Sequence, residues 1–194
     1  MAVLLFSQCE ENDADIEVQA DLYFPLEVGN KWVYEVTRRN SGYGSYNCDY
    51  TQSIEITNET DGVFTVVTQY EGSSDLNLTY KLQKGSDGIY TQDGKLLVSG
   101  GNKKFNSNSI ILLFQTHFNV ASLNATGSFV ISGNILKFEF TEGIGTIFSQ
   151  TFTVGVGLSS WTNQKNTSGY YGWVSDTYRG YLKSATIDGE TKYY

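Results

Sequence analysis

Residues 22–36 read LYFPLEVGNKWVYEV, and this stretch predicts how the folded region begins. Pro25 is the only proline of the chain, and its ring fixes φ and keeps the preceding residue extended. The pair Gly29–Asn30 tolerates positive φ, which predicts a tight turn. Beyond the turn every second residue is large and apolar, namely Trp32, Tyr34 and Val36. Because period 2 is typical of a strand with one buried face, we expect an apolar plug, a turn and a strand that points Trp32 into the core.

The same alternation recurs along the chain between turn signals such as Asp61–Gly62 and Asp93–Gly94. We count about ten or eleven strands at 8–12-residue spacing and no long amphipathic helix. Mostly sequential hairpins predict an all-β antiparallel meander of about ten strands that forms a barrel or a curved half-barrel, with a β-sandwich as the alternative. The lipocalin barrel and the half-barrel of bacterial lipoprotein carriers are the nearest analogues in fold, and that analogy carries no function.

Three segments interrupt this alternation. Residues 100–109 and Asn163–Gly169 are polar and predict loops. Residues 110–114 form a solid apolar block, for which periodicity cannot decide between a buried strand and a short helix. The basic pairs Arg38–Arg39 and Lys103–Lys104 are interpreted as solvated loop ends.

The composition excludes one class of partner. The formal net charge is −8, and phosphate binding needs concentrated Lys and Arg, so we expect no nucleic acid. Aromatic residues make up 14% and charged residues only 18% of the chain. This balance is typical of an antiparallel β protein that works outside the cytoplasm.

The N-terminus predicts an anchor and a tether. Residues 1–9 form an apolar run that is too short to span a bilayer and ends in Cys9. We interpret it as the truncated tail of a lipoprotein signal peptide, in which Leu5–Cys9 resembles a lipobox and Cys9 would carry the lipid. Residues 10–21 are acidic and predict a disordered tether. Residues 22–194 then make a single all-β domain.

A resemblance to a known group rests on two motifs near opposite ends of the chain. YFPLEVGNKWVYEV, residues 23–36, resembles the start of the mature domain in Bacteroidetes-type exported lipoproteins. Gly155–Leu158, followed by a closing strand at residues 181–189, resembles their late Gly-Val-Gly-Leu ending. The resemblance implies export, a lipid anchor and an all-β domain, but no reaction. The acidic residues after Cys9 resemble an export tag, or else a plain spacer, so the expected location is the outer membrane, on its periplasmic face or at the cell surface.

The residue inventory predicts no enzyme. His117 is the only histidine, and no Gly-x-Ser-x-Gly elbow occurs that would place a serine for nucleophilic attack. One histidine and one spare cysteine do not make a zinc site. No glycine-rich loop that could hold phosphate precedes a helix. We therefore expect no catalytic residue, no metal and no cofactor.

The best candidates for binding are four aromatic residues near the C-terminus: Trp161, Tyr171, Trp173 and Tyr178. Such side chains stack on sugar rings, line an apolar cavity or simply fill a barrel interior. Our first hypothesis is a non-enzymatic envelope lipoprotein that binds an apolar small molecule or a partner protein of the envelope. The alternative is a carbohydrate-binding surface lipoprotein that uses exposed Tyr and Trp. In both, the lipid anchor makes the membrane a partner.

Overall fold

The computed structural model describes residues 20–41, 47–71, 73–106, 109–113, 126–142, 146–169 and 172–194. Within these residues a helical turn at 20–23 precedes thirteen strands. The strands are β1 (Lys31–Asn40), β2 (Asn47–Thr60), β3 (Val63–Tyr70), β4 (Ser73–Gly85), β5 (Gly88–Thr91), β6 (Leu96–Ser99), β7 (Lys103–Asn106), β8 (Thr126–Ser132), β9 (Ile135–Glu142), β10 (Thr146–Thr153), β11 (Gly157–Gly169), β12 (Gly172–Ile187) and β13 (Glu190–Tyr193). The chain is therefore all-β, as the alternation predicts.

All thirteen strands belong to one antiparallel sheet. The order is β6-β5-β4-β3-β2-β1-β12-β11-β10-β9-β8-β7, and β13 pairs with β12 beside this path. Twelve strands curl into a nearly closed barrel, so the prediction of a barrel or half-barrel is confirmed. Only the β1–β12 pair joins strands that are distant in sequence, and the other neighbours are sequential hairpins or meander steps. The two edges, β6 and β7, are consecutive in the chain and meet at a seam.

Side-chain contacts hold the seam together. Lys103 on β7 forms an ion pair with Asp87, which lies in the turn between β4 and β5. The side-chain oxygen of Asn102 accepts a hydrogen bond from the backbone N–H of Ile131 at 2.8 Å. The backbone of Leu96 makes a parallel bridge with Ile110. The Lys103–Asp87 pair links β7 to the turn between β4 and β5, and the Leu96–Ile110 bridge links β6 to the segment after β7. The Asn102–Ile131 bond lies on the other side of β7, where it extends the pairing with β8. No backbone ladder joins β6 to β7.

Two of the predicted loops are wrong. Lys103–Asn106 forms β7, since it finds a ladder partner in β8. Asn163–Gly169 continues β11, where it pairs with β12 from Tyr178 back to Gly172. Cross-strand partners thus make strands of polar runs whose own sequence favours a loop. In consequence the basic pairs are not loop ends either: Arg38–Arg39 lies in β1 and Lys103–Lys104 in β7.

The predicted plug closes one end of the barrel, which we call the plugged end. The ring of Phe24 stacks on Trp32 with centroids 4.7 Å apart and meets Phe152 edge-on at 6.3 Å. Backbone bonds fix the segment, because Gly155 N–H donates to the carbonyl of Leu22 at 2.8 Å. Phe24 and Trp32 are both completely buried. The expected core position of Trp32 is confirmed.

The predicted turn after the plug is also present. Gly29 has φ of +96°, a conformation that glycine adopts without steric cost. Asn30 is buried, and its side chain donates to the carbonyl of Pro25 at 3.1 Å and accepts from the N–H of Asp188 at 3.0 Å. The turn thereby ties the plug to both the first and the last long strand.

The apolar block at 110–114 is described as far as Leu113. After the bridge at Ile110 it continues neither as a strand nor as an α-helix over the described residues 111–113. Leu113 is completely buried, and its carbonyl accepts a hydrogen bond from the hydroxyl of Thr68 at 2.8 Å. The segment therefore fills part of the interior beside β3.

Candidate ligand-binding site

Two amide side chains lie inside the barrel without hydrogen-bond partners. Gln150 on β10 and Asn163 on β11 are 1% and 0% exposed. No described residue bonds to the side-chain nitrogen or oxygen of either one. A buried polar group left unsatisfied costs about 1–3 kcal/mol of stability, so these amides destabilise the fold in their present positions. An unsatisfied buried group in a folded protein calls for an explanation, and a bound water or ligand is one.

The strand register brings the two amides to the same face. Gln150 lies opposite Trp161, and Asn163 lies opposite Phe148, so the amides are diagonal neighbours across the β10–β11 ladder. Diagonal neighbours in an antiparallel pair are about 7–8 Å apart, which one small polar group can bridge. Alternation along each strand places Phe148 and Phe152 on this same inner face, and both are completely buried.

Trp161 lies flat across the backbone of β12. Its partner in the ladder is Gly180, where an added Cβ would lie 2.2 Å from the indole Nε1. Only glycine leaves room for the ring at this position. Trp161 is therefore fixed beside Gln150 as part of the interior wall.

Tyr178 and Arg38 continue the row that begins at Asn163. Tyr178 lies opposite Asn163 on one side and Arg38 on the other, and it is 4% exposed. The guanidinium carbon of Arg38 lies 4.7 Å from the ring centroid of Tyr178, which is the geometry of a cation–π contact.

The charge of Arg38 is balanced locally. Its Nε and Nη2 donate to the two oxygens of Asp176 at 3.2 and 2.9 Å. Both side chains are about four-fifths buried. A forked pair of this kind is geometrically specific and leaves the pair neutral. We call the set Arg38, Gln150, Asn163, Asp176 and Tyr178 the interior polar cluster.

An aromatic wall borders this cluster on the β8–β10 side. Phe138 lies opposite Gln150 across the β9–β10 ladder, and the ring of Phe140 stacks on Phe148 at 4.7 Å. Phe129 adds a third contact to the wall, 5.0 Å from Phe138. The interior therefore offers an apolar surface that ends at two amide groups. Amides, rings and a neutral ion pair can bind and orient a molecule that has an apolar body and a polar head.

Of the predicted binding residues, the structure brings Trp161 and Tyr178 together on this inner face. Trp173 lies in β12, where its backbone pairs with Ser168. Tyr171, Cys9 and His117 lie outside the described residues. Sequence reasoning missed the amides and the Arg38–Asp176 pair. One signal was present: Gln150 takes an inward position between Phe148 and Phe152.

The outer face of the same strands carries a second, shallower feature. Tyr181 is 53% exposed and lies at a groove of about 230 Å³. Two guanidinium side chains and two threonines share this lining, namely Arg39, Arg179, Thr37 and Thr177. Arg39 also forms an ion pair with Asp49 at 2.7 Å. An exposed aromatic ring beside guanidinium hydrogen-bond donors is typical of a sugar-binding site.

Burial changes the ionisation of the interior tyrosines. Burial raises the pKa of Tyr34, whose hydroxyl donates to the carbonyl of Leu158 at 2.7 Å. Burial, and next the neighbouring Tyr70, raise the pKa of Tyr80. Both phenols therefore stay neutral at physiological pH.

Within the part of the chain that the structure describes, no three His, Cys, Asp or Glu side chains come together as metal ligands. No helix among the described residues is long and apolar enough to cross a bilayer. Comparison of the chain with protein-family models, with curated proteins and with solved structures gave no match.

Proposed function

We propose that this chain is a non-enzymatic binding domain of a cell-envelope lipoprotein and that its ligand, a molecule with an apolar body, binds inside the barrel. The observation that carries the proposal is the pair of unpartnered amides, Gln150 and Asn163, beside an aromatic wall. Barrel width supports it as well. Eight strands already leave an interior that side chains can just fill, and this sheet has twelve around its path.

The site chemistry favours binding over catalysis. Amide and indole groups do not ionise near neutral pH, and the one carboxylate of the interior polar cluster is engaged by Arg38. A cofactor is not part of the proposal. The negative net charge favours partners other than nucleic acid.

Binding of an apolar fluorophore tests the proposal. Full-length protein is titrated with N-phenyl-1-naphthylamine, and we expect a saturable, one-to-one rise in fluorescence with a blue shift. Trp161→Leu should weaken this binding at least about fivefold, because the ring forms part of the wall. Tyr181→Leu removes an aromatic from the outer face of the neighbouring strand and should leave binding unchanged. Absence of saturable binding to the native protein would overturn the proposal.

The outer groove supports carbohydrate binding as the second candidate function. Its exposed Tyr181 beside Arg179 matches the stacking and forked donors that sugars use. Affinity electrophoresis in gels that contain soluble polysaccharides tests it. Retardation that disappears in Tyr181→Leu and persists in Trp161→Leu supports this candidate. Equal mobility with and without every polysaccharide speaks against it.

The anchor is a separate part of the proposal, because it rests on Cys9 and the lipobox-like run before it. We propose an outer-membrane location, on the periplasmic face or at the cell surface, with the membrane or an envelope protein as partner. Intact mass of the protein from the membrane fraction of a Bacteroidetes host tests it. A lipid-sized increment that is absent from Cys9→Ala supports the anchor, and an unmodified soluble product contradicts it.

A further inference from the structure

The interior polar cluster carries no net charge toward a ligand. Arg38 gives two hydrogen bonds to Asp176, so the positive and the negative charge cancel within one forked pair. The remaining members, Gln150, Asn163 and Tyr178, are neutral side chains. A charged head bound here would lose its water without gaining an opposite charge, which is costly in a buried site.

The unpartnered hydrogen-bonding atoms of the two amides restrict the head group of the ligand further. Both the nitrogen and the oxygen of Gln150 lack partners among the described residues, and the same is true of Asn163. Each amide therefore offers donors and an acceptor at once. A carboxylate has no proton to give to the amide oxygens, and an ammonium has no lone pair for the amide N–H groups. Only a group that both donates and accepts satisfies the pair.

The positions of the two amides determine the orientation of a bound ligand inside the barrel. Phe138 and Phe148 flank the amides across the ladders, whereas Phe24 and Trp32 fill the plugged end. The apolar chain of a ligand would therefore pack along the wall of β8–β10, with its head at the β10–β11 ladder. Both halves of the ligand are then buried against groups of matching polarity.

We propose that the interior binds a neutral amphiphile whose head both donates and accepts hydrogen bonds, such as a carboxamide or a polyol ester, with Gln150 and Asn163 as the residues that select it. This inference rests on the proposed function and names the ligand class for the same site. It predicts discrimination against the fatty acid of equal chain length.

The test compares two probes that differ only in the head. Dodecanamide and dodecanoate are used at pH 8, where the acid is ionised, to displace N-phenyl-1-naphthylamine from full-length protein. We expect the amide to bind at least about tenfold more tightly, since a site that hydrogen-bonds a polar head rejects an analogue that leaves its groups unpaired. The double variant Gln150→Met with Asn163→Leu should reduce the preference to less than about twofold while the fluorophore still binds.

Gln164→Leu is the matched control, because Gln164 neighbours Asn163 on β11 but belongs to the opposite face of the strand. It should keep the full preference. Thermal unfolding without ligand separates selection from a structural role: the double variant should melt no lower than the native protein, since it removes unpartnered polar groups.

The outcomes separate the two proposals. Equal affinities, tighter binding of dodecanoate, or failure of both acyl compounds to displace a bound fluorophore overturn the neutral-head inference and leave the proposed function standing. Failure of the fluorophore itself to bind overturns the proposed function. Loss of the preference in Gln164→Leu would also overturn the assignment of selection to Gln150 and Asn163.

Discussion

The two halves of the barrel interior treat buried polar groups in opposite ways. At the plugged end, the hydroxyl of Tyr34 donates to Leu158 and the side chain of Asn30 bonds on both sides. Around the interior polar cluster, Gln150 and Asn163 have no described partner at all. The polar groups named at the plugged end are therefore satisfied, whereas the two amides of the interior polar cluster cost stability. That difference is the basis of the proposed ligand site.

The largest effect should come from emptying the plugged end. Phe24→Ala removes a completely buried ring that contacts Trp32 and Phe152, and it should lower the free energy of unfolding by about 3–5 kcal/mol. Urea unfolding followed by tryptophan fluorescence measures it. Tyr193→Ala, on an 82% exposed side chain, is the control and should stay within about 0.5 kcal/mol. A loss from Phe24→Ala as small as that of the control would mean that the plug does not stabilise the barrel.

The next effect tests whether Trp161 is fixed in the wall. Gly180→Ala places a methyl group against the indole, so the ring must move, and we expect a loss of about 1–3 kcal/mol with a changed near-UV circular dichroism spectrum. Gly101→Ala makes the same change where no atom lies within 4 Å of the new carbon. Indistinguishable unfolding curves for the two variants would contradict the described position of Trp161.

In the second half of the interior, a substitution should raise the free energy of unfolding instead of lowering it. Gln150→Met keeps the volume of the side chain but removes two unpartnered polar atoms, so it should raise the free energy of unfolding by about 1 kcal/mol in ligand-free protein. Gln164→Met, on the opposite face of β11, should change it by less than about 0.5 kcal/mol. Chemical unfolding of protein that has been stripped of lipid by refolding provides the measurement. A destabilised Gln150→Met would show that the amide is satisfied in the folded protein.

The plugged end was largely predictable from the sequence, and the reason is periodicity. Trp32, Tyr34 and Val36 alternate with smaller or polar residues, and burial on one face of a strand has that same period. Pro25 and Gly29 mark the turn by backbone chemistry that few other residues share. Local rules therefore decide this region, and the structure agrees with them.

The interior polar cluster was not predictable in the same way. A polar residue on a strand usually faces water, so the position of Gln150 between Phe148 and Phe152 was the only signal for the inner face, and Asn163 gave none. Asn163 even belonged to a predicted loop, because it becomes a strand through pairing with β12, which local propensity does not encode. Arg38 and Asp176 are 138 residues apart, and only the β1–β12 pairing brings them together. Aromatic content alone led to Trp161 and Tyr178.

The smallest effect concerns the seam, where the strength of an exposed ion pair depends on pH. Hydrogen bonds from Lys103 and then from Tyr90 hold the pKa of Asp87 below its ordinary value. A folded pKa below the unfolded one stabilises the fold above the unfolded pKa of about 3.9, and this stability is lost as pH falls through the folded pKa. The pKa of Lys103 is raised, mainly by Asp87, so its contribution is lost only as pH rises through that elevated value. Both side chains are more than 40% exposed, which limits the effect to well under about 1 kcal/mol.

A double-mutant cycle measures this seam contact. Unfolding midpoints of the native protein, Asp87→Asn, Lys103→Met and the double variant are compared at pH 7 and at pH 3. The coupling between the two sites should be positive at pH 7 and should decrease as pH falls through the lowered pKa of Asp87, because a protonated carboxyl no longer attracts the ammonium group. Absence of coupling at pH 7 would remove the ion pair from the account of the seam. The contact between the two edges would then rest on the Leu96–Ile110 bridge.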